Sequence, residues 1–397
     1  MRFVSVFPPP TPPRFVTPSL RHFVTARAAC AVGMLAIPAV AVTQADASAF
    51  TTYGTQWRAI AAPNTGLGSF GFLGDALADG RIMGVTGNSV YVESGVGTGV
   101  FNVVATFDAT QSGGSADPSF VRVSPGGTNI AVGLGFGKPV AVFATAALGT
   151  PGSPSTLTSG VTGKYFSLPH YQGAWANETQ LAITSSSGPF GSQASSVSLL
   201  TTTSPTASPT NPTIITGITG ASGGIAFDSA GRLYTGNGTA NGGSPTATGA
   251  IKAFDASVLT TPSPLNFSTQ GTLMGKVLSG DALAFDTAGN LFVGGGDFGS
   301  GGGADNGYFG LINAAAITAA LGGGPALNPA DPTQLRTLFP DGTTFGYYGS
   351  AFNRITGEIY ATSTNFLTGT NTFYASVPAP GAASLLTLGL FAARRRR

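Results

Sequence analysis

Short apolar runs separated by tight polar turns recur along residues 50–376. In the three clearest copies, an Asp or Asn opens the turn, a Gly closes it, and an apolar run lies on each side. These copies are 224–234, 282–293 and 350–360. Asp and Asn side chains accept hydrogen bonds from the backbone two residues on, and Gly adopts the positive φ that such turns require. The pattern therefore predicts antiparallel hairpins in which Asp228 and Asp286 are turn residues.

Three weaker copies precede the clear ones, and another apolar run follows each hairpin. The weaker copies are 82–92, 120–132 and 173–183, and the candidate third strands are 100–107, 139–143, 196–200, 249–254, 308–312 and 372–375. The second strands, taken at Val90, Ile130, Leu181, Leu233, Leu291 and Ile359, follow one another at intervals of 40 to 68 residues. Repeats of this length with about four strands each are typical of β-propeller blades.

The predicted fold is therefore all-β, a six-bladed β-propeller over residues 50–376. A propeller closes into a ring, and 56–61 is an apolar segment placed to complete the last blade. A short helix predicted at 314–321, with Asn313 as its N-cap and Gly322 at its end, lengthens the last interval. A pair of β-sandwiches or a β-solenoid is the alternative fold.

Composition agrees with a strand-rich, folded body. Only 9% of residues are charged, whereas 42% are hydrophobic and the chain contains 59 Gly and 27 Pro. The single cysteine, Cys30, precedes the body, which therefore has no thiol for a disulfide or a metal. Residues 50–376 contain 10 basic and 15 acidic residues with no basic cluster. Nucleic-acid binding needs a concentrated basic face, so that class of function is excluded.

The N-terminus has the layout of a secretory signal peptide. An apolar stretch at 28–42 follows basic residues, and the small residues Ala47 and Ala49 stand at cleavage positions. A buried helix is the alternative, although a proline would interrupt it. We predict that residues 1–49 form a signal peptide with a long N-terminal region.

The C-terminus combines a proline motif, an apolar run and an arginine cluster. The motif is Val377, Pro378, Ala379 and Pro380, the apolar run is 381–393, and the cluster is Arg394, Arg395, Arg396 and Arg397. A helix of about 12 residues is roughly 18 Å long, which is shorter than the hydrocarbon core of about 30 Å. Snorkelling arginines narrow this gap and favour the cytoplasmic side. The body would then face the periplasm.

The last 21 residues resemble the PEP-CTERM sorting signals of Gram-negative bacteria, although Ala379 stands where that family has Glu. The resemblance implies recognition by an exosortase-type processing enzyme, transient tethering at the inner membrane as a short transmembrane helix, and processing near the Pro-x-Pro. A plain C-terminal anchor is the alternative. The predicted domains are therefore a signal peptide at 1–49, a propeller at 50–376 and a sorting tail at 377–397.

The hairpin repeats are similar to those of six-bladed NHL and SMP-30-like propellers. The SMP-30-like resemblance implies a metal-dependent hydrolase or lactonase, in which a Glu, an Asn and an Asp surround a central divalent ion. This chain has three Glu, and none of them aligns with that set.

Residues with catalytic potential are few in the body. His170 is its only histidine, which argues against a His-ligated zinc site and a Ser triad. The segment 220–224 matches the G-x-S-x-G pattern, but the sequence predicts a strand after it where that motif needs a helix. The segment 294–299 matches G-x-G-x-x-G but is predicted to be a loop, since no helix follows. We predict no catalytic residue and no cofactor.

Three aspartates are candidates for a metal site. Asp281 precedes a first strand and is placed to point into the central channel. Asp297 and Asp305 lie in the Gly-rich loop 294–307, where oxygen ligands for calcium can gather. A solvated loop is the alternative.

These observations indicate an exported protein at the cell surface or in the extracellular biofilm matrix. Its propeller is predicted to be a non-enzymatic scaffold or binding module for a polysaccharide or a protein, because the chain combines export and sorting signals with no convergent catalytic set. Propeller faces carry such binding contacts on their loops. The alternatives are a metal-dependent SMP-30-like or lactonase-like hydrolase and a purely structural surface protein.

Overall fold

A computed structural model describes most of the predicted body. The described residues are 53–63, 71–114, 117–188, 193–202, 211–237, 249–277, 279–296, 308–327, 335–337, 346–365 and 370–378. All of them belong to one unit, Ala45–Arg397. The predicted signal peptide, the tail from Ala379 onward, and Asp297 and Asp305 lie outside the described residues.

Six sheets of four or five strands make up the described part of the chain, and we name them blades I to VI. Blade I contains β2 (Leu73–Ala76), β3 (Ile82–Thr86), β4 (Ser89–Glu93), β5 (Phe101–Phe107) and β9 (Ser155–Leu157). Blade II contains β6 (Phe120–Val123), β7 (Asn129–Gly133), β8 (Val140–Ala144) and β10 (Gly163–Phe166). Blade III contains β11 (Gly173–Trp175), β12 (Gln180–Ser187), β13 (Ala194–Thr201), β14 (Thr213–Thr219) and β18 (Leu265–Asn266).

The second half of the ring has the same plan. Blade IV contains β15 (Ser222–Phe227), β16 (Leu233–Asn237), β17 (Gly249–Phe254) and β19 (Thr272–Val277). Blade V contains β20 (Ala282–Phe285), β21 (Leu291–Gly295), β22 (Tyr308–Ile312) and β23 (Leu335–Thr337). Blade VI contains β24 (Gly346–Phe352), β25 (Ile359–Asn365), β26 (Thr370–Pro378) and β1 (Tyr53–Ile60).

The inner strands β2, β6, β11, β15, β20 and β24 surround a central axis. Each contacts the next in chain order, and β24 contacts β2, so the blades close into a ring. The protein is therefore a six-bladed β-propeller, as the spacing of its hairpins predicts. The predicted rival folds are wrong, because neither a sandwich pair nor a solenoid closes on itself in this way.

Ring closure joins the two ends of the described body. Strand β1 pairs antiparallel with β26, with Trp57 opposite Ser376 and Ile60 opposite Phe373. An ion pair of 2.7 Å between Arg58 on β1 and Glu358 at the start of β25 adds to this closure. The prediction that 56–61 completes the last blade is confirmed.

A separate apolar cluster fills each interface between neighbouring blades. Representative buried pairs across the interfaces, from I–II round to VI–I, are Val85 and Ile130, Phe120 and Leu181, Ile215 and Leu233, Tyr234 and Leu291, Phe292 and Tyr347, and Phe373 and Ile82. Strands β3 and β21 are buried at every position, because both of their faces meet another blade. This two-sided burial accounts for the low charge of the body.

Two outer strands tie neighbouring blades together. Strand β9 lies between β8 and β10 in the chain, yet it pairs parallel with β5 of blade I. Strand β18 lies between β17 and β19 and pairs parallel with β14 of blade III. The sequence did not predict either strand, since β18 has two residues and β9 has three.

The repeat predicted at 82–92 is out of phase with the other five. It is formed by β3 and β4, the second hairpin of blade I, so Val90 lies on the third strand of its blade. The inner strand is β2, whose sequence LGDA has only two fully buried positions. A Gly and an Asp in a four-residue strand leave little apolar pattern to recognise.

Helices are short in the described residues. Helix α1 is Ala109–Ser112, and helix α2 is Ala314–Leu321. The Asn313 side chain accepts a hydrogen bond of 2.7 Å from the Ala315 N–H, and α2 ends at Gly322, which confirms the predicted helix and its caps. Neither described helix is long and apolar enough to cross a membrane.

Candidate functional site

An open cavity of about 650 Å³ lies at one end of the central axis. Its walls are the final residues of the inner strands and the first turns that follow them, among them 75–78, 122–127, 226–229, 350–352 and 354–355. We call it the channel-mouth cavity. A volume of this size is within the range of small-ligand sites.

The last two residues of each inner strand divide the cavity wall into two arcs. From blade I to blade VI these pairs are Asp75 and Ala76, Arg122 and Val123, Ala174 and Trp175, Ala226 and Phe227, Ala284 and Phe285, and Ala351 and Phe352. Blades I and II supply charge, whereas blades III to VI supply one aromatic ring each. The cavity is therefore amphipathic, with a charged arc beside an aromatic arc.

The charged arc is built on the exposed edges of neighbouring inner strands. Asp75 Oδ2 accepts a hydrogen bond of 2.8 Å from the Val123 N–H, which joins blade I to blade II. Arg122 Nε donates to the Gly173 carbonyl at 3.0 Å, and Trp175 Nε1 donates to the Arg122 carbonyl at 3.0 Å. These bonds satisfy backbone groups that an inner strand edge would otherwise leave unpaired.

Burial opposes the charge on both members of this arc. It raises the pKa of Asp75 above its ordinary value, although the Arg122 charge and two backbone N–H donors favour the carboxylate. Burial likewise lowers the pKa of Arg122, and the Asp75 charge counteracts that effect. Each group therefore helps to keep the other ionised.

The side chains of two aspartates on the cavity rim stabilise the turns in which they lie. Asp228 accepts four hydrogen bonds, from the Ala230 and Arg232 N–H groups, the Arg232 guanidinium and the Tyr234 hydroxyl. Asp286 accepts from the backbone N–H groups of residues 288 and 290 and from the Asn290 amide. The predicted role of Asp228 and Asp286 as turn residues is confirmed.

Arg354 has a different environment from these carboxylates. It lies in the β24–β25 turn, lines the cavity and is exposed. Among the described residues, none accepts a hydrogen bond from it or forms an ion pair with it. Its charge nevertheless acts to lower the pKa of Asp75, which lines the same cavity.

One buried hydroxyl in the cavity wall also lacks a partner. Ser350 on β24 is 3% exposed and lines the cavity. No hydrogen-bond partner for its Oγ is found in the part of the chain that the structure describes. A buried hydroxyl without a partner is costly unless a ligand or water satisfies it.

Glu178 connects the rims of blades II and III. Its carboxylate accepts hydrogen bonds from the Ser124 hydroxyl at 2.6 Å, the Gly126 N–H and the Thr128 hydroxyl. Burial opposes ionisation, but these hydrogen bonds outweigh it and hold the pKa of Glu178 below its ordinary value. The carboxylate thus fixes the first turn of blade II against that of blade III.

The Gln172 side chain closes the axis at the end away from the cavity. Gln172 is 1% exposed and precedes β11 of blade III. Its Nε2 donates to the Ser119 carbonyl at 3.0 Å and to the Tyr348 carbonyl at 2.9 Å. Tyr348 belongs to blade VI, which lies opposite blade III, so the amide spans the axis. The sequence did not reveal this residue, because a lone Gln in a loop has no recognisable pattern.

Asp281, a candidate metal ligand, is buried beside β20. It is 1% exposed, and its Oδ2 has no hydrogen-bond partner among the described residues. Burial raises the pKa of Asp281 well above its ordinary value, although the nearby Ser279 and Tyr171 side chains act in the opposite direction. Asp297 and Asp305 lie outside the described residues. Among the residues that the structure describes, no group of three or more metal-ligating side chains occurs. The calcium site stays a prediction.

The other residues singled out in the sequence are dispersed. His170 is buried, which lowers its pKa, and its Nδ1 lies 3.1 Å from the Leu168 carbonyl. Ser222 begins strand β15, as the predicted strand at 225–227 requires. Strand β26 extends through Val377 and Pro378, the first two residues of the predicted sorting motif.

Comparisons with known proteins agree on the fold. No family model matches the chain, and no curated protein matches it. One similar structure is the holo PQQ domain of pyranose dehydrogenase from Coprinopsis cinerea, with 12% identity over 82% of this chain and 97% of that chain, and a TM-score of 0.50.

Two further solved structures have similar values. A calcium structure of a Trichoderma reesei protein of carbohydrate-active enzymes family AA12 has 11% identity over 81% of this chain and 94% of that chain, with a TM-score of 0.50. A candidate gluconolactonase has 11% identity over 83% of this chain and 95% of that chain, with a TM-score of 0.46. At such identities a likeness shows the fold alone, and the predicted resemblance of the body to β-propellers is confirmed at that level.

Proposed function

We propose that this protein is an exported propeller that binds an extracellular polysaccharide in its channel-mouth cavity without transforming it. The observation that carries the proposal is the aromatic arc, in which four successive blades each place a ring at the same strand end. The two terminal segments support export, after which the propeller would reside at the cell surface or in the surrounding matrix.

The partly exposed phenylalanines of the cavity suit a sugar. Phe227, Phe285 and Phe352 line the cavity and keep part of their apolar surface exposed, while the rest packs against the clusters between blades. Exposed aromatic surface of this kind packs against the C–H faces of a pyranose. The Ser350 Oγ is fully enclosed and does not reach the ligand space. Together with the charged groups of the same wall, the aromatic surface favours a carbohydrate over a purely apolar ligand.

The same wall favours binding over catalysis. None of the residues described around the cavity is His, Cys, Lys or Glu. The carboxylates of Asp75, Asp228 and Asp286 accept hydrogen bonds from the protein itself. A general acid or base has to be free to exchange a proton with a substrate.

Phe352→Ala tests the proposed site in protein isolated from its own cells. We expect oligosaccharide binding to weaken about ten-fold, the loss of roughly 1.4 kcal/mol, because one stacking face disappears. Phe136→Ala is the matched control, since Phe136 is 66% exposed and does not line the cavity. Isothermal titration against oligosaccharides selected from a neutral and acidic glycan array measures both variants.

Three results would contradict the proposal. Absence of binding to any glycan would favour a purely structural surface protein. Equal losses of oligosaccharide affinity in Phe352→Ala and Phe136→Ala would show that the cavity is not the binding site. Stoichiometric divalent metal together with lactone or ester turnover would favour the hydrolase. Mass spectrometry of the mature termini in cell fractions tests export independently.

A further inference from the structure

The lining of the channel-mouth cavity contains two arginines, both of which have N–H groups that no described residue accepts, and three aspartates, which accept hydrogen bonds from the protein. Arg354 has no acceptor among the described residues. Arg122 uses Nε and Nη1 on the Gly173 and Val121 carbonyls, and no described residue accepts from its Nη2. Both arginines line the cavity together with Asp75, from the two blades that flank blade I.

The negative groups of the wall have their oxygens directed to protein donors. Asp75 accepts one backbone N–H on each oxygen, from residues 76 and 123. Asp228 is also paired with the Arg232 guanidinium at 3.0 Å, and Asp286 holds the turn before β21. An anion entering the cavity therefore meets two guanidinium groups, each with N–H donors that no described residue accepts.

We propose that the sugar bound in this cavity is a uronic acid, with its carboxylate at Arg354 and Arg122 and its ring on the aromatic arc. This inference rests on the proposed function and names its ligand class. A guanidinium matches a carboxylate in geometry and donates charge-assisted hydrogen bonds to it. Arg122, Arg354 and Asp75 together carry a formal charge of +1, and the other two lining carboxylates, Asp228 and Asp286, are held by the hydrogen bonds of their own turns.

The position of Arg354 next to the aromatic arc favours a ligand that has both a sugar ring and a negative charge. Phe352 ends β24, and Arg354 lies two residues later in the turn of the same blade. The ring face and the free cation are therefore neighbours, as are the pyranose ring and the C6 carboxylate of a uronate. A neutral sugar would leave the Arg354 charge unused.

The test compares an acidic oligosaccharide with its neutral counterpart of the same shape. Trisaccharides of galacturonate, glucuronate and mannuronate are titrated into the protein isolated from its own cells, each beside its methyl ester. Succinate serves as a carboxylate without a sugar ring. We expect at least one uronate to bind about ten-fold more tightly than its ester, and succinate to bind weakly.

Arg354→Gln removes the positive charge of the guanidinium without breaking a structural contact, because the side chain is exposed. We expect uronate binding to weaken about ten-fold and its salt dependence to fall, while ester binding stays unchanged. Lys276→Gln is the matched control, since Lys276 is exposed on β19 and does not line the cavity. It removes the same charge from the protein and should leave binding unchanged.

The outcomes separate this inference from the proposed function. Equal binding of uronates and esters, with a loss only in Phe352→Ala, overturns the uronate inference and leaves a polysaccharide site. Succinate binding as tightly as the uronates overturns the assignment to a sugar. Equal losses in Arg354→Gln and Lys276→Gln show a general charge effect and also overturn it. Absence of binding by every glycan overturns both proposals.

Discussion

The amide of Gln172 bridges the propeller across its axis, so replacing it with an isosteric acid should destabilise the ring. In Gln172→Glu the side chain keeps its shape, but a carboxylate cannot donate to the Ser119 and Tyr348 carbonyls. Two hydrogen bonds of about 1 kcal/mol each are lost, and a buried charge faces two carbonyl oxygens. We expect a loss of about 3 kcal/mol or more at pH 7.5.

The loss should depend on pH in a defined direction. Burial and the two carbonyls raise the folded-state pKa of a Glu at this position above its unfolded value of about 4.3. The penalty is therefore complete above the folded-state pKa and disappears as the pH falls towards the unfolded value. A protonated acid regains only one of the two donors, so the loss should shrink as the pH falls to 5, while about 1 kcal/mol or more of it remains.

Gln111→Glu is the matched control for this experiment. Gln111 accepts a hydrogen bond of 2.7 Å from the Ser159 N–H through Oε1, and a carboxylate oxygen can do the same. Urea denaturation of both variants at pH 7.5 and pH 5 measures the difference. If Gln172→Glu is as stable as Gln111→Glu at pH 7.5, the amide does not bridge blades III and VI.

Two further variants test the contacts that hold blades and turns together. Arg58→Ala should lower the free energy of unfolding by about 1 to 2 kcal/mol in urea denaturation, because Glu358 is buried and loses its ion-pair partner. Arg81→Ala, at an exposed ion pair, should lower it by less than about 0.5 kcal/mol. Equal losses in the two variants would refute a role of Arg58 in ring closure. Glu178 has a lowered pKa, so its stabilising effect is complete above the ordinary Glu value and is lost as the pH falls through the folded-state value. Glu178→Gln should reduce the loss of stability on acidification below about pH 5, and an unchanged loss would show that the 124–128 turn does not depend on this carboxylate.

The architecture could be predicted because one local pattern, an Asp or Asn turn between two apolar strands, recurs along the chain. Asp228, Asp286 and Asn353 each open a turn with side-chain hydrogen bonds to the backbone, and the strands beside them are apolar. Such signals depend only on neighbouring residues, so they can be recognised without knowledge of the fold. Strand 56–61 was predicted by geometry, because a ring of blades needs a final strand.

The site could not be predicted in the same way, because its residues come from six separate repeats. Arg122 and Asp75 are 47 positions apart in the chain, and their proximity depends on the order of blades I and II. The inner strand of blade I was missed for a related reason. Asp75 interrupts its apolar pattern, yet it is the residue that contributes charge to the cavity. The residue that departs from the repeat pattern in blade I is thus one that lines the channel-mouth cavity.

Stability and recognition overlap at the cavity end of each inner strand. The central residues, such as Ile225 and Leu283, pack into the clusters between blades. The terminal aromatic residues line the cavity and also pack against these clusters, Trp175 as a buried member and Phe352 as a partly buried neighbour. Most of the energy that closes the ring resides in the buried blade interfaces and in the β1–β26 pairing. It follows that Phe352→Ala should weaken ligand binding and also lower the urea midpoint, whereas Gln172→Glu should lower the urea midpoint and leave binding unchanged, because Gln172 lies at the other end of the axis.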